Sequence, residues 1–162
     1  MSVKSSRLAL LGVGVVLFAA GIAGCGGGDE ESEPLTKDEF IAQANEFCAD
    51  FTEQSNASTA EYEDADISED IDGAADSFQA VSDQMGDLSS NIDGLGAPEG
   101  DESTIDQLVD LSQQLSESGS TGAEALRNED LDAVTEANAN SEEIRTEFNQ
   151  IATDYGLTEC AP

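Results

Sequence analysis

Residues 67–95 read ISEDIDGAADSFQAVSDQMGDLSSNIDGL, and their apolar residues recur at alternating intervals of four and three. This spacing places them on one face of an α-helix over about four heptads. Asp, Ser, Gln, Asn and Gly fill most positions between them, so the opposite face is polar. The stretch predicts an amphipathic helix of a bundle, ended by GAPEG at 96–100. The apolar positions are Ile67, Ile71, Ala74, Phe78, Val81, Met85, Leu88, Ile92 and Leu95.

Two more helices are predicted downstream. A third helix begins near Asp101 or Ser103, with apolar residues at 105, 108, 109, 111 and 115. Residues 116–122 are rich in Ser and Gly, so we expect a kink or fraying there, with helix resuming at 123–127 and a turn at 128–130. The fourth helix carries Leu131, Val134, Ala137, Ser141, Ile144, Phe148, Ile151 and Tyr155 at the same spacing. Gly156 suits a left-handed C-cap, and Leu157 suits its hydrophobic partner.

The first helix lies upstream and has a complete start signal. Thr36 and Glu39 are spaced as a capping box, and Leu35 and Phe40 as a hydrophobic staple. Apolar residues at 40, 41, 44, 47, 48 and 51 then form one helical face. Residues 52–66 lose this period and predict a polar, acidic loop. No segment shows the alternation of a strand pair. We therefore predict an all-α, antiparallel up-down four-helix bundle over residues 36–162.

The N-terminal residues indicate export. Lys4 and Arg7 precede an uncharged apolar run at 8–23, which is shorter than the ~20 residues of a spanning helix. The run ends Ile22-Ala23-Gly24-Cys25, which resembles the lipobox of bacterial lipoproteins. The resemblance implies a signal peptide at 1–24, a lipid on the Cys25 thiol, a flexible acidic tether at 25–35, and a place on the extracytoplasmic face of a bacterial membrane. The alternative is an N-terminal membrane helix with an incidental cysteine.

With Cys25 lipidated, Cys48 and Cys160 remain as a pair in an oxidising compartment. In an up-down bundle the end of the fourth helix lies near the start of the first, so we predict a disulfide between them. Two buried free thiols are the alternative.

A second resemblance involves both ends of the expected bundle. LTKDEFIAQANEFC at 35–48 and DYGLTEC at 154–160 resemble small extracytoplasmic lipoproteins of actinobacteria. Those proteins are helical and carry two such cysteines. The resemblance implies no activity and no functional residue.

The net charge of the chain restricts the classes of molecule that it can bind. Residues 25–162 contain three basic residues and all 36 acidic ones, a net charge of −33. Such a field repels nucleic acid and anionic headgroups, so we expect no nucleic-acid partner and membrane attachment only through the lipid.

Enzyme chemistry is not expected. The chain has no histidine. This excludes the usual hydrolase triads and the metal sites of helical bundles that use histidine ligands. Lys37 lies in the first turn of a predicted helix. We expect its side chain to be exposed to solvent rather than to form a catalytic Ser–Lys pair. The Phe residues at 40, 47, 51, 78 and 148 are all assigned to the core, and Trp is absent, so no platform for sugars remains. No cofactor is expected.

A calcium site is the most specific chemical hypothesis that the sequence offers. Asp64, Asp66, Asp70 and Asp72 alternate as the first ligands of an EF-hand loop do, but the glycine and the glutamate of that motif are missing. An acidic helix start beside a solvated loop is the plainer interpretation, so these residues are weak candidates.

Two functions follow from the sequence. The first is a non-catalytic, lipid-anchored envelope protein that presents an acidic bundle to an unknown envelope protein. The alternative is a module that binds a small ligand or a divalent cation. The predicted core offers little polar chemistry apart from Ser141 to orient a ligand. A core cavity of more than a few hundred Å³ would favour ligand binding, and a packed core would favour protein interaction.

Overall fold

The computed structural model describes residues 34–60 and 70–161, which belong to one compact unit. They contain four α-helices: α1 (Lys37–Thr59), α2 (Ile71–Gly94), α3 (Glu102–Arg127) and α4 (Leu131–Tyr155). No strand occurs in these two ranges. Consecutive helices pack against each other, so the chain forms an antiparallel up-down four-helix bundle and the predicted fold is confirmed.

The predicted caps form as expected. The Thr36 hydroxyl accepts a hydrogen bond from the Glu39 N–H, while the Glu39 carboxylate accepts from the Thr36 N–H at 3.0 Å. Hydrogen bonds from the Thr36 hydroxyl and then its backbone N–H lower the pKa of Glu39. Gly156 has a φ of 105°, the left-handed conformation predicted for it, and Leu157 beyond it is fully buried.

The disulfide also forms. The sulfur atoms of Cys48 and Cys160 are 1.97 Å apart, and this bond joins the middle of α1 to the segment after α4. Asn45 strengthens the junction because its amide donates to the Gly156 carbonyl at 3.4 Å and its oxygen accepts from the Glu159 N–H at 3.0 Å. The residues after α4 are therefore held against the first half of α1.

Two predicted interruptions are wrong. Residues 52–59 continue α1 instead of forming a loop, because α2 holds them: Ser77 donates to the Ser58 carbonyl at 2.9 Å, and Gln84 donates to the Ser58 hydroxyl at 2.9 Å. Residues 116–122 form an unbroken part of α3 instead of a kink. Here Ser116 donates to the Ser82 carbonyl of α2 at 2.7 Å. Contacts with neighbouring helices override the weak helix propensity of both segments.

Two residues assigned to the core are exposed. Phe78 is 40% exposed and Leu131 is 71% exposed. Phe78 lies where the interior of the bundle opens to solvent, whereas Leu131 is the first residue of α4. A periodic pattern identifies the inward face of a helix, but it does not show that another helix covers that face.

The bundle divides along its length into two halves. The stapled half consists of residues 34–48, 86–112 and 144–161, and it holds the large buried side chains and the disulfide. The groove half consists of residues 49–60, 71–85 and 113–143. Its buried residues are mostly small, among them Ala74, Ala75, Ser82, Ser118, Gly122, Ala123 and Ala137.

Candidate functional site

A groove of about 260 Å³ opens in the groove half. It exists because the backbones of the two outer helices stay apart: α1 packs on α2, and α4 packs on α3. Side chains of α1 and α4 meet in the stapled half, where the Phe40 ring packs edge-to-face on the Tyr155 ring. In the stapled half, the residues after α4 fill the corresponding space. The principal apolar lining residues are Ala74, Phe78, Val81 and Met85 of α2 and Leu115 of α3.

Gly119 and Ser82 form part of the groove lining where α3 crosses close to α2. A Cβ atom added at Gly119 would overlap the Ser82 hydroxyl, so this approach requires a glycine. The Ser82 hydroxyl donates to the Phe78 carbonyl at 2.8 Å, within its own helix. The weak helix formers of this region are thus the residues that allow two helices to pack closely.

A second set of hydroxyl groups joins α3 to α4 beneath the groove. Ser118 is 6% exposed and donates to the Ala137 carbonyl at 3.0 Å. Its oxygen accepts from the Ser141 hydroxyl at 3.0 Å and from the Asn140 amide at 3.1 Å. These bonds satisfy the buried hydroxyl of Ser118 inside the protein.

One ion pair borders the groove. Arg145 donates to Glu142 at 2.7 Å, one helical turn away on α4. Both side chains are more than half exposed, so the pair contributes little to stability. Its local effect is to neutralise Glu142, the one carboxylate among the described residues that line the groove.

A separate polar cluster lies at the end of the stapled half. The Tyr155 hydroxyl donates to Asp101 at 2.8 Å, and the Lys37 ammonium lies 3.4 Å from the same carboxylate and 3.8 Å from the centre of the Tyr155 ring. Burial, the hydrogen bond to Asp101 and the charge of Asp101 all raise the pKa of Tyr155. Lys37 therefore serves to join α1, α3 and α4.

Two of the four predicted calcium ligands lie at the start of α2. Asp70 caps α2 by accepting from the Gly73 N–H at 3.0 Å, and Asp72 lies in the first turn of that helix. Asp64, Asp66 and the lipidation candidate Cys25 fall outside the described residues. Within residues 34–60 and 70–161, no group of three or more His, Cys, Asp or Glu is arranged to hold a metal ion.

The groove itself was not predicted. Ser141 was identified as a polar exception on α4, and it does line the groove. Ser82 lies one residue after a predicted apolar position, and Ser118 lies in the segment expected to kink. The available signal was the concentration of Ser and Gly on facing parts of α2 and α3. We interpreted it as a polar outer face in α2 and as helix weakness in α3, rather than as close packing.

Comparison with known proteins identifies no relative of this chain. Neither a protein family, nor a curated protein, nor a solved structure matches this chain. In the part of the chain that the structure describes, no helix combines the length and apolar character needed to cross a membrane.

Proposed function

We propose that this chain is a non-catalytic, lipid-anchored protein of the bacterial envelope that binds a small apolar ligand in its groove. The groove on the open side of the bundle carries the proposal, because it is a recess of about 260 Å³ with aliphatic walls. Its volume exceeds the roughly 150 Å³ of an engineered apolar cavity that binds benzene. It lies near the lower limit of ordinary ligand pockets, which begin at about 300 Å³.

The chemistry of the lining supports the same conclusion. Phe78 presents a partly exposed ring where a bound apolar molecule would cover it. Covering apolar surface contributes about 25 cal/mol per Å² removed from water. Anchoring through Cys25 is the part of the proposal that comes from the sequence resemblance.

Ligand binding is tested with Nile red, an uncharged dye that fluoresces in apolar surroundings. The soluble chain from residue 26 onward should enhance its fluorescence with saturation at one dye per chain. Val81→Trp should abolish the signal by filling the groove. Val109→Trp is the matched control, since Val109 is also a half-buried valine but packs on the core of the stapled half.

Both variants are first checked for native helical content by circular dichroism. Saturable binding that Val81→Trp removes and Val109→Trp retains supports the proposal. Equal signals from all three proteins, or no saturable signal from the unmodified chain, would contradict it.

Protein contact is the second candidate function, and the exposure of Leu131 favours it. A photo-crosslinking residue at 131 in intact cells should then capture one defined protein. The same residue at exposed position 153 in the stapled half serves as the control. Identical products from both positions would indicate random encounter and remove this candidate.

A further inference from the structure

We infer that the ligand of the groove is a single extended aliphatic chain with an uncharged head group. This inference rests on the proposed function and specifies its ligand by chemical class. Three properties of the groove carry it: its shape, the state of its hydroxyl groups, and its charge.

The shape fits an extended chain. The lining residues run from Ala74 to Met85 on α2 and from Leu115 to Gly122 on α3, which gives the groove a length of roughly 10–16 Å at 1.5 Å per residue. An extended chain laid along the two helices contacts the whole of this length, whereas a compact cage of rings contacts only part of it.

The length sets the size of the chain. A carbon–carbon bond of about 1.5 Å advances an extended chain by roughly 1.3 Å per carbon. A groove of this length accommodates about 8–12 carbons.

The serine hydroxyls in the lining offer no free hydrogen to a polar ligand. Each of them already donates its hydrogen to a protein oxygen within 3.0 Å. A sugar or an amino acid would lose its hydrogen bonds to water without gaining these donors in exchange. The four bonds run from Ser77 to the Ser58 carbonyl, from Ser82 to the Phe78 carbonyl, from Ser118 to the Ala137 carbonyl and from Ser141 to the Ser118 hydroxyl.

The charges favour a neutral head group. Among the described residues, the charged side chains that line the groove are Glu142 and Arg145, and they pair with each other. The neighbouring recess between α3 and α4 is lined by Glu117 and Glu136 with no basic residue in the described part of the chain. The acidic surface repels an anionic head, and the groove offers a cationic head no carboxylate without a basic partner among its described lining residues.

The experiment compares molecules that have an apolar part of about nine or ten carbons and differ in shape or in the charge of the head group. 1-Decanol, 1-adamantanol, decanoate and decyltrimethylammonium each compete with Nile red for the unmodified chain, all below their micelle concentrations. We expect decanol to displace the dye at least tenfold more effectively than adamantanol or decanoate. Decyltrimethylammonium should displace the dye no better than decanol once about 0.15 M salt screens the surface charge.

A series of 1-alkanols measures the length of the groove. Affinity should increase about threefold to fourfold with each added methylene, as expected for burial in an apolar environment. The increase should stop between about 8 and 12 carbons, where the chain reaches the end of the groove. Val81→Trp should remove the length dependence, and Val109→Trp should retain it.

The outcomes separate this inference from the proposed function. If adamantanol displaces the dye as well as decanol, or a charged head improves displacement, the groove binds apolar ligands but the inference about their class is wrong. If affinity continues to rise well beyond 12 carbons, the assigned length is wrong. If the dye itself does not bind, the proposed function and this inference are both wrong.

Discussion

The stapled half and the groove half are built from the same four helices but are held together differently. In the stapled half, Phe40, Ile92, Leu108 and Leu157 are buried almost completely, and a disulfide joins α1 to the segment after α4. In the groove half, the buried positions are occupied mainly by Ala, Ser and Gly, and hydroxyl groups connect the helices.

The difference shows how one sequence can combine stability with an open site. Large side chains exclude water from the stapled half and supply most of the hydrophobic stabilisation. Small side chains let α2 and α3 approach closely in the groove half, and no helix within residues 34–60 and 70–161 covers the inward face that they leave open. A densely packed half thus supports a half with an open recess.

The largest expected effect comes from removing the covalent link. Cys48→Ala combined with Cys160→Ala should lower the free energy of unfolding by about 4–5 kcal/mol, since the bond closes a loop of more than 100 residues. Urea denaturation of the double variant and the unmodified chain measures this difference. A loss below about 1 kcal/mol would mean that packing alone holds the segment after α4 on α1.

The next effect compares one large side chain from each half. Leu108→Ala should cost about 3 kcal/mol because Leu108 is fully buried in the stapled half. Phe78→Ala removes a larger side chain but should cost only about 1 kcal/mol, because that ring faces the groove and is 40% exposed. Thermal unfolding of both variants tests the contrast. Equal losses would contradict the division into two halves.

A smaller effect tests the close approach of α2 and α3. Gly119→Ala should destabilise the protein by about 1–2 kcal/mol, because its Cβ would displace the Ser82 hydroxyl. Adding Ser82→Ala should relieve the overlap, and the double variant should be about as stable as the unmodified chain or slightly more, since Ala favours helix over Gly. The sign of the change should thus reverse between the single and the double variant in urea denaturation. Destabilisation that persists in the double variant would exclude this steric explanation.

The smallest effect concerns pH in the stapled half. The raised pKa of Tyr155 means that the folded protein holds this proton more tightly than the unfolded chain does. Its contribution is complete below a pH of about 10, the ordinary pKa of tyrosine, and decreases as the pH rises further. Tyr155→Phe should reduce the loss of stability between pH 9.5 and 11, measured by urea denaturation at each pH. An unchanged profile would assign that loss to other groups.

Features set by local contacts could be predicted from the sequence. The capping box of Thr36 and Glu39 and the left-handed cap at Gly156 depend on neighbouring residues and backbone geometry, so their motifs were sufficient. The disulfide followed from bundle topology together with the number of cysteines.

Features set by contacts between helices could not be predicted. The continuation of α1 to Thr59 depends on bonds from α2 to Ser58, and the continuity of α3 depends on the fit of Gly119 against Ser82. The groove depends on the separation of α1 from α4, and the periodicity of a single helix contains no information about that separation.

The bond between Cys48 and Cys160 also determines what proteolysis can release. Every peptide bond between these two residues lies inside a covalent ring. A single cut by a protease anywhere in that ring leaves both fragments connected, so no part of the bundle is released. Such a nicked protein would migrate as one species under non-reducing denaturing electrophoresis and as two after reduction.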